Sequence, residues 1–131
     1  MTTWTSDELT SIGEAEELRI AALRPDGTQR KPKIIWVVRV GDDLYVRSAY
    51  GLNAAWFRGT QVRHEGRIWA GGIEKDVNFV DVAEADNEIH ERIDAAYWTK
   101  YGRYPAKFIN PVASAESRSV TLKLVPRSPG D

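Results

Sequence analysis

Apolar positions along this chain switch between a period of two and a period near 3.6, and the switches divide it into elements. Thr5-Ser6-Asp7-Glu8 reads as a capping box, with Thr5 as N-cap and Glu8 reaching back to the cap amide. The short helix it opens runs to about Gly13, a helix-ending glycine. Glu17 to Leu23 alternates, with Leu18, Ile20 and Ala22 on one face, and Pro25-Asp26-Gly27 is a turn. Lys33 to Val40 carries the strongest strand signal. It is rich in β-branched residues, and Ile34, Trp36, Val38 and Val40 share a face. Both faces of that segment are largely apolar, which predicts a central strand with Trp36 pointing into the core. Gly41-Asp42-Asp43 turns the chain, and Leu44 to Ala49 returns antiparallel.

Asn53 to about His64 fits a short helix with Asn53 as N-cap. Arg67 to Ala70, Gly71-Gly72 and Ile73 to Val82 form a second hairpin. Asp86 to Tyr101 is the best helix: Ile89, Ile93, Ala96 and Tyr97 form one stripe, and Gly102 ends it. Tyr104-Pro105 to Pro111 reads as irregular. Ser119 to Val125 alternates as a last strand, and the tail frays from about residue 126. Strands interleaved with short helices predict a mainly β (α+β) chain, a closed or partly open barrel of about six antiparallel strands. Residues 1–131 read as one domain.

Composition narrows the classes. The chain has 131 residues, enough to bury a substantial core, with 42% hydrophobic and 28% charged residues. A net charge of −1 gives no global field toward nucleic acid or an anionic membrane. No apolar run approaches a membrane span, and no signal-peptide pattern opens the chain. The absence of cysteine removes disulfides, thiol nucleophiles and thiolate metal sites, and fits a cytoplasmic protein. Five tryptophans and five tyrosines supply large rings for a core, an interface or a flat-ligand pocket.

Candidate chemistry gathers at one strand-to-helix junction, Ser48-Ala49-Tyr50-Gly51 through Trp56-Phe57-Arg58. Small residues, an indole and an arginine there suit either a flat anionic cofactor or a packed barrel corner. Arg30-Lys31-Pro32-Lys33 either binds a phosphate or carboxylate through charge-assisted hydrogen bonds or is a solvated loop. Tyr97, Tyr101 and Tyr104 either wall a substrate pocket or dock the long helix by its aromatic edge. His64 ends a short helix, and His90, beside Glu91, is expected to be solvated. Neither has a neighbour at metal-ligand spacing, so no metal site is predicted. Asp42-Asp43, Glu74-Asp76 and Glu84-Asp86 are explained by turns. No nucleophile elbow, phosphate-binding glycine loop or dinucleotide fingerprint is present.

The order of these features resembles the split β-barrels of the deazaflavin-dependent nitroreductase and flavin reductase superfamily. More closely, it is similar to the bacterial family known as domain of unknown function 2255. The likeness covers about Leu18 to Arg127. It rests on Gly27-Thr28-Gln29-Arg30-Lys31-Pro32, Gly41-Asp42-Asp43-Leu44-Tyr45-Val46, Ser48 and Gly51, Trp56-Phe57-Arg58, and Arg118 through Pro126. The resemblance implies an FMN-binding-like fold in which Arg30, Lys31 and Lys33 grip a coenzyme phosphate. Ser48, Ala49 and Gly51 would line its ring, and Trp56, Phe57 and Arg58 would open the following helix beside it. It also implies that Tyr97, Tyr101 and Tyr104 wall the substrate pocket. This chain departs from the pattern with Arg24-Pro25-Asp26 in place of a denser basic cluster, and with Gly59 where relatives often carry asparagine.

Two functional classes follow. One is an oxidoreductase with a deazaflavin coenzyme or FMN at the barrel mouth. The other has no cofactor and uses the same cavity to bind, or to transform, a small molecule. Split barrels of this size commonly pair, so a homodimer is expected, with no nucleic-acid partner and no membrane span.

Overall fold

A computed structural model describes residues 3–127. Helix α1 (Ser6–Glu14) begins at the expected capping box: the Thr5 hydroxyl accepts from the Glu8 amide, and the Glu8 carboxylate accepts from the Thr5 amide. Strands β1 (Leu18–Ala22), β2 (Lys33–Ile35), β3 (Val38–Val40) and β4 (Asp43–Arg47) follow. A 3-10 turn (Gly51–Asn53) leads into α2 (Ala55–Arg63), then the hairpin β5 (Glu65–Ala70) and β6 (Ile73–Asp81). Helix α3 (Asn87–Tyr101), short α4 (Ala106–Ile109), two more 3-10 turns and β7 (Thr121–Pro126) complete the fold. The expected tail begins later than 126. Pro126 pairs with Val77 in the sheet, and the Arg127 amide donates to the Asp76 carbonyl. The rest of the predicted tail, 128–131, lies outside the described residues.

The strands form one antiparallel sheet of seven, ordered β2-β1-β5-β6-β7-β4-β3. The predicted Lys33–Val40 strand is therefore two strands at opposite edges, not one at the centre. Only Trp36 and Val37 separate them in the chain. A sheet whose two edges are joined by two residues must curl until those edges meet, and the meeting line is an open seam. There the ladder cannot satisfy the backbone, and α3 does so instead. The Val37 amide donates to the Tyr101 hydroxyl at 3.2 Å, and Lys100 Nζ donates to the Val37 carbonyl at 2.7 Å. The Tyr101 hydroxyl lies 2.9 Å from the Glu16 carbonyl, to which it donates.

The curled sheet separates two apolar clusters. The inner one holds Leu18, Ile20, Val37, Leu44, Val46, Phe57, Ile68, Phe79, Leu122 and Leu124. The outer one lies between the sheet and α3 and holds Val38, Tyr45, Ile93, Tyr97, Tyr101, Ile109 and Val112. This reverses the predicted facing of the seam segment. Val37 points inside and is fully buried, whereas Trp36 packs outside with the α3 cluster and Ile34 is exposed.

Candidate functional site: an aromatic-walled pocket at the seam

The chain leaves β4 at Arg47 and must turn before α2. Ser48 makes that turn: its hydroxyl donates to the Gly51 carbonyl at 2.7 Å, and Gly51 adopts a positive φ of 60°. The 3-10 turn that follows displaces the predicted cap. Ala54, not Asn53, precedes α2, with no side chain capping it. The first turn of α2 then faces the seam across from β2. Between them opens a cavity of about 450 Å³ lined by Lys33, Ile34, Ile35, Trp36, Arg47, Ala49, Tyr50, Ala54, Ala55, Trp56, Phe108 and Val112. Its walls are mostly apolar and aromatic, with three alanines that leave the space between the rings open.

Three predicted cofactor residues, Lys33, Ala49 and Trp56, line this cavity. Lys31 is exposed outside it. Arg30 lies across α2 at Gly59: a Cβ there would sit 3.0 Å from Arg30 Cδ and Nε. Glycine in a helix interior costs stability relative to alanine, and here it admits the arginine. The buried Arg30 Nε has no hydrogen-bond partner. Ser48 and Gly51 shape the turn behind the wall. Phe57 is buried in the inner core, where it meets the edge of Trp56 at 5.8 Å between centroids. Arg58 is spent on the Leu52 carbonyl at 2.9 Å.

Tyr97 and Tyr101 lie on α3, and Tyr104 lies in the loop after it. None of Tyr97, Tyr101 and Tyr104 lines the cavity. Tyr97 and Tyr101 are fully buried in the outer cluster because the α3 stripe His90–Ile93–Tyr97–Tyr101 docks on the sheet. Tyr101 instead backs the cavity wall, stacked on Trp36 with centroids 4.1 Å apart. Tyr104 touches the other edge of that pair, 5.0 Å from Trp36, and its phenol donates to the Glu16 carboxylate. Hydrogen bonds from Tyr104 and Arg103 hold the Glu16 carboxyl below its ordinary range.

Asp26, which would repel a nearby phosphate, instead closes its own turn. Its carboxylate accepts from the Thr28 amide at 2.9 Å and hydroxyl at 2.7 Å, and those bonds lower its pKa. The Arg24–Gln29 loop likewise uses Arg24 internally, on the Gln29 carbonyl.

Behind the cavity sits a group that the sequence reading missed. Arg47 is 2% exposed. Its Nη1 pairs with Asp94 and donates to the Val112 carbonyl at 2.9 Å, its Nε donates to the Thr121 hydroxyl at 2.9 Å, and its Nη2 meets His90 Nδ1 at 3.1 Å. His90 Nε2 lies 2.9 Å from the Ala83 carbonyl, so Nε2 carries the proton and Nδ1 accepts from Arg47. His90 is thus fully buried, not solvated. Arg118 reaches the other Asp94 oxygen at 3.3 Å. The signal was the alternation of β4: Tyr45 and Arg47 share the face that α3 covers, so Arg47 had to find partners there. Among the described residues no group of three His, Asp or Glu side chains is placed to hold a metal ion, and no helix is long and apolar enough to cross a membrane.

Seven antiparallel strands curled to a seam, with helices packed across the opening, define a split β-barrel. The chain belongs to the family described as uncharacterized protein conserved in bacteria (DUF2255), whose model matches residues 8–124. No curated protein matches it. Among solved structures it is similar to HutZ, the heme storage protein from Vibrio cholerae, at 14% identity and a TM-score of 0.68, covering 97% of this chain and 92% of that one. A FAD-binding protein from Mesorhizobium loti is 13% identical with a TM-score of 0.59, covering 97% and 93%. An F420 reductase is 12% identical with a TM-score of 0.56, covering 91% and 92%. These likenesses establish the fold.

Proposed function

We propose that this protein is an oxidoreductase that holds a deazaflavin or flavin ring in the seam pocket and acts on a small organic substrate at its mouth. The observation that carries the reading is a cavity walled by Trp36 and Trp56, floored by small residues and edged by the Lys33 cation. Its volume of about 450 Å³ falls in the range of small-molecule sites. The residues present fit a flat ring: indoles offer faces to stack on, and Ala49, Ala54 and Ala55 add only methyl groups. When bound, such a ring supplies hydride chemistry. The chain's part is to hold it, exclude water with apolar walls and meet an anionic group with Lys33. Arg30 and Lys31, just before Lys33 in the chain, offer further positive charge to a phosphate tail.

A cofactor-free binding protein or cofactor-independent enzyme is the second reading, and one observation favours it. Of the two cations lining the cavity, Arg47 is committed to Asp94, His90, Val112 and Thr121, which leaves only Lys33. The proposed assembly is a homodimer. Exposed Ile34, Tyr50 and Phe108 rim the cavity and exposed Leu52 adjoins it, an apolar patch that a second copy would cover. A cytoplasmic location, resting on the cysteine-free composition, remains part of the proposal. Titration of the purified protein with FMN and with the deazaflavin coenzyme is the test. Saturable uptake of either supports the first reading, and binding of neither at high micromolar concentration moves the assignment to the second.

A further inference from the structure

We propose that Trp36, Tyr101 and Tyr104 form a one-electron relay from the seam pocket to the protein surface, with the Glu16 carboxylate taking the proton at its outer end. Trp36 lines the cavity, so its indole is in reach of whatever occupies it. Its face lies against Tyr101 at 4.1 Å, with the planes 4° from parallel. Tyr104 stands 5.0 Å from Trp36 and 6.2 Å from Tyr101. Three easily oxidised rings in contact give a path with no saturated gap.

Proton chemistry decides where an electron vacancy comes to rest. A phenol that loses an electron becomes a strong acid, so the vacancy is stabilised only where a base receives the proton. Tyr97 is 6.1 Å from Tyr101, but among the described residues its buried hydroxyl finds no acceptor, so a vacancy has no proton exit there. Tyr101 donates only to backbone carbonyls, which are weak bases. Tyr104 alone of the three donates to a carboxylate, that of Glu16. Arg103 holds the same carboxylate at 2.5 Å, and its low pKa keeps it ionised at neutral pH.

The Trp36 indole gives up one electron to a one-electron oxidant in the pocket, a role that a light-excited flavin ring would fill. Tyr104 returns one electron to the indole, directly or through Tyr101, and passes its phenolic proton to Glu16. The products are the oxidant reduced by one electron, a neutral Tyr104 phenoxyl and a protonated Glu16. A small thiolate at the partly exposed Tyr104 ring supplies the electron that restores it, becoming a thiyl radical, and Glu16 gives back the proton. The relay would draw oxidising equivalents away from the core.

For its natural oxidant the relay rests on the flavin reading, so its test uses none. Azide radicals generated by pulse radiolysis oxidise indoles selectively in the full chain. The expected result is a first-order conversion of indolyl to phenoxyl absorbance whose rate is independent of protein concentration. That phase is lost in Tyr104→Phe, in Trp36→Phe and in Glu16→Gln, and retained in Tyr97→Phe, with thermal melts showing each variant folded. Tyr104→Phe and Glu16→Gln change side chains at the surface end and leave the core intact. No such phase in the wild type, or one unchanged in any of the first three variants, overturns the relay. FMN binding is scored separately: an intact phase without FMN binding removes the flavin reading and supports the relay.

Discussion

The Trp36 indole lies flat on Tyr101, and the Tyr101 hydroxyl in turn holds the Val37 amide at 3.2 Å. One tyrosine thus braces the pocket wall and closes the backbone at the seam. Removing only its hydroxyl, by Tyr101→Phe, leaves a buried amide unsatisfied and should cost about 1–3 kcal/mol. Trp36→Ala should cost less than the roughly 3–5 kcal/mol of a fully buried tryptophan, since Trp36 is only partly buried. Urea unfolding measures both. A loss above that range for Trp36→Ala, with Tyr101→Phe neutral, would place the indole in the core and contradict this geometry.

The buried Arg47 is the second place where one side chain carries several elements. Arg47→Met strands one oxygen of Asp94, the Val112 carbonyl and His90 Nδ1, and should cost about 3–5 kcal/mol in urea unfolding. Arg47→Lys should recover little, because an ammonium cannot reproduce the planar fork that reaches four partners. Full rescue by lysine would show that charge alone matters at this site.

How much of this was legible in the sequence follows from the range of the interactions. The Thr5–Glu8 capping box and the β5–β6 hairpin depend on neighbours in the chain, and both form where their residue types call for them. Period-two alternation from Lys33 to Val40 cannot reveal a break at Trp36–Val37. The same pattern suits one central strand or two edge strands, and only pairing with β1 and β4 decides. The site divides in the same way. Ala49 and Trp56 sit by the cavity because they flank a strand-to-helix junction, and Lys33 because it opens β2 after the basic loop, both local features of the sequence. Arg30 lies against Gly59, a course that depends on a helical glycine far along the chain. His90 was hidden because its partner Arg47 comes from another element.

Stability should depend on pH through Lys100. Burial pushes its ammonium down to about 8 from 10.5, against an opposing pull from Glu16. Between those values the unfolded chain binds the extra proton, so the free energy of unfolding rises with pH through that window. The gain is small, because Lys100 is partly exposed. Burial pushes the Tyr97 and Tyr101 phenols up from 10, so above that pH the unfolded chain loses their protons first and stability falls. Urea midpoints should therefore rise from pH 8 toward 10 and then drop. Lys100→Met should abolish the rise and keep the drop; a rise that persists in this variant would refute the assignment.

Assembly is tested by light scattering. The wild type should be a dimer at micromolar concentration, and Ile34→Asp with Phe108→Asp should give a folded monomer. A monomeric wild type removes the homodimer proposal.

The most direct measurement is a titration of the wild type, Trp56→Phe and Lys33→Ala with FMN and the deazaflavin coenzyme, followed by tryptophan fluorescence and ligand absorbance. Saturable quenching by one of the two is expected in the wild type, with a folded Trp56→Phe that shows reduced quenching. Binding in Lys33→Ala should be roughly tenfold weaker, about 1.4 kcal/mol for one charged hydrogen bond. Binding that neither variant alters, or binding of neither ligand at high micromolar concentration, would contradict a flavin site in the seam pocket.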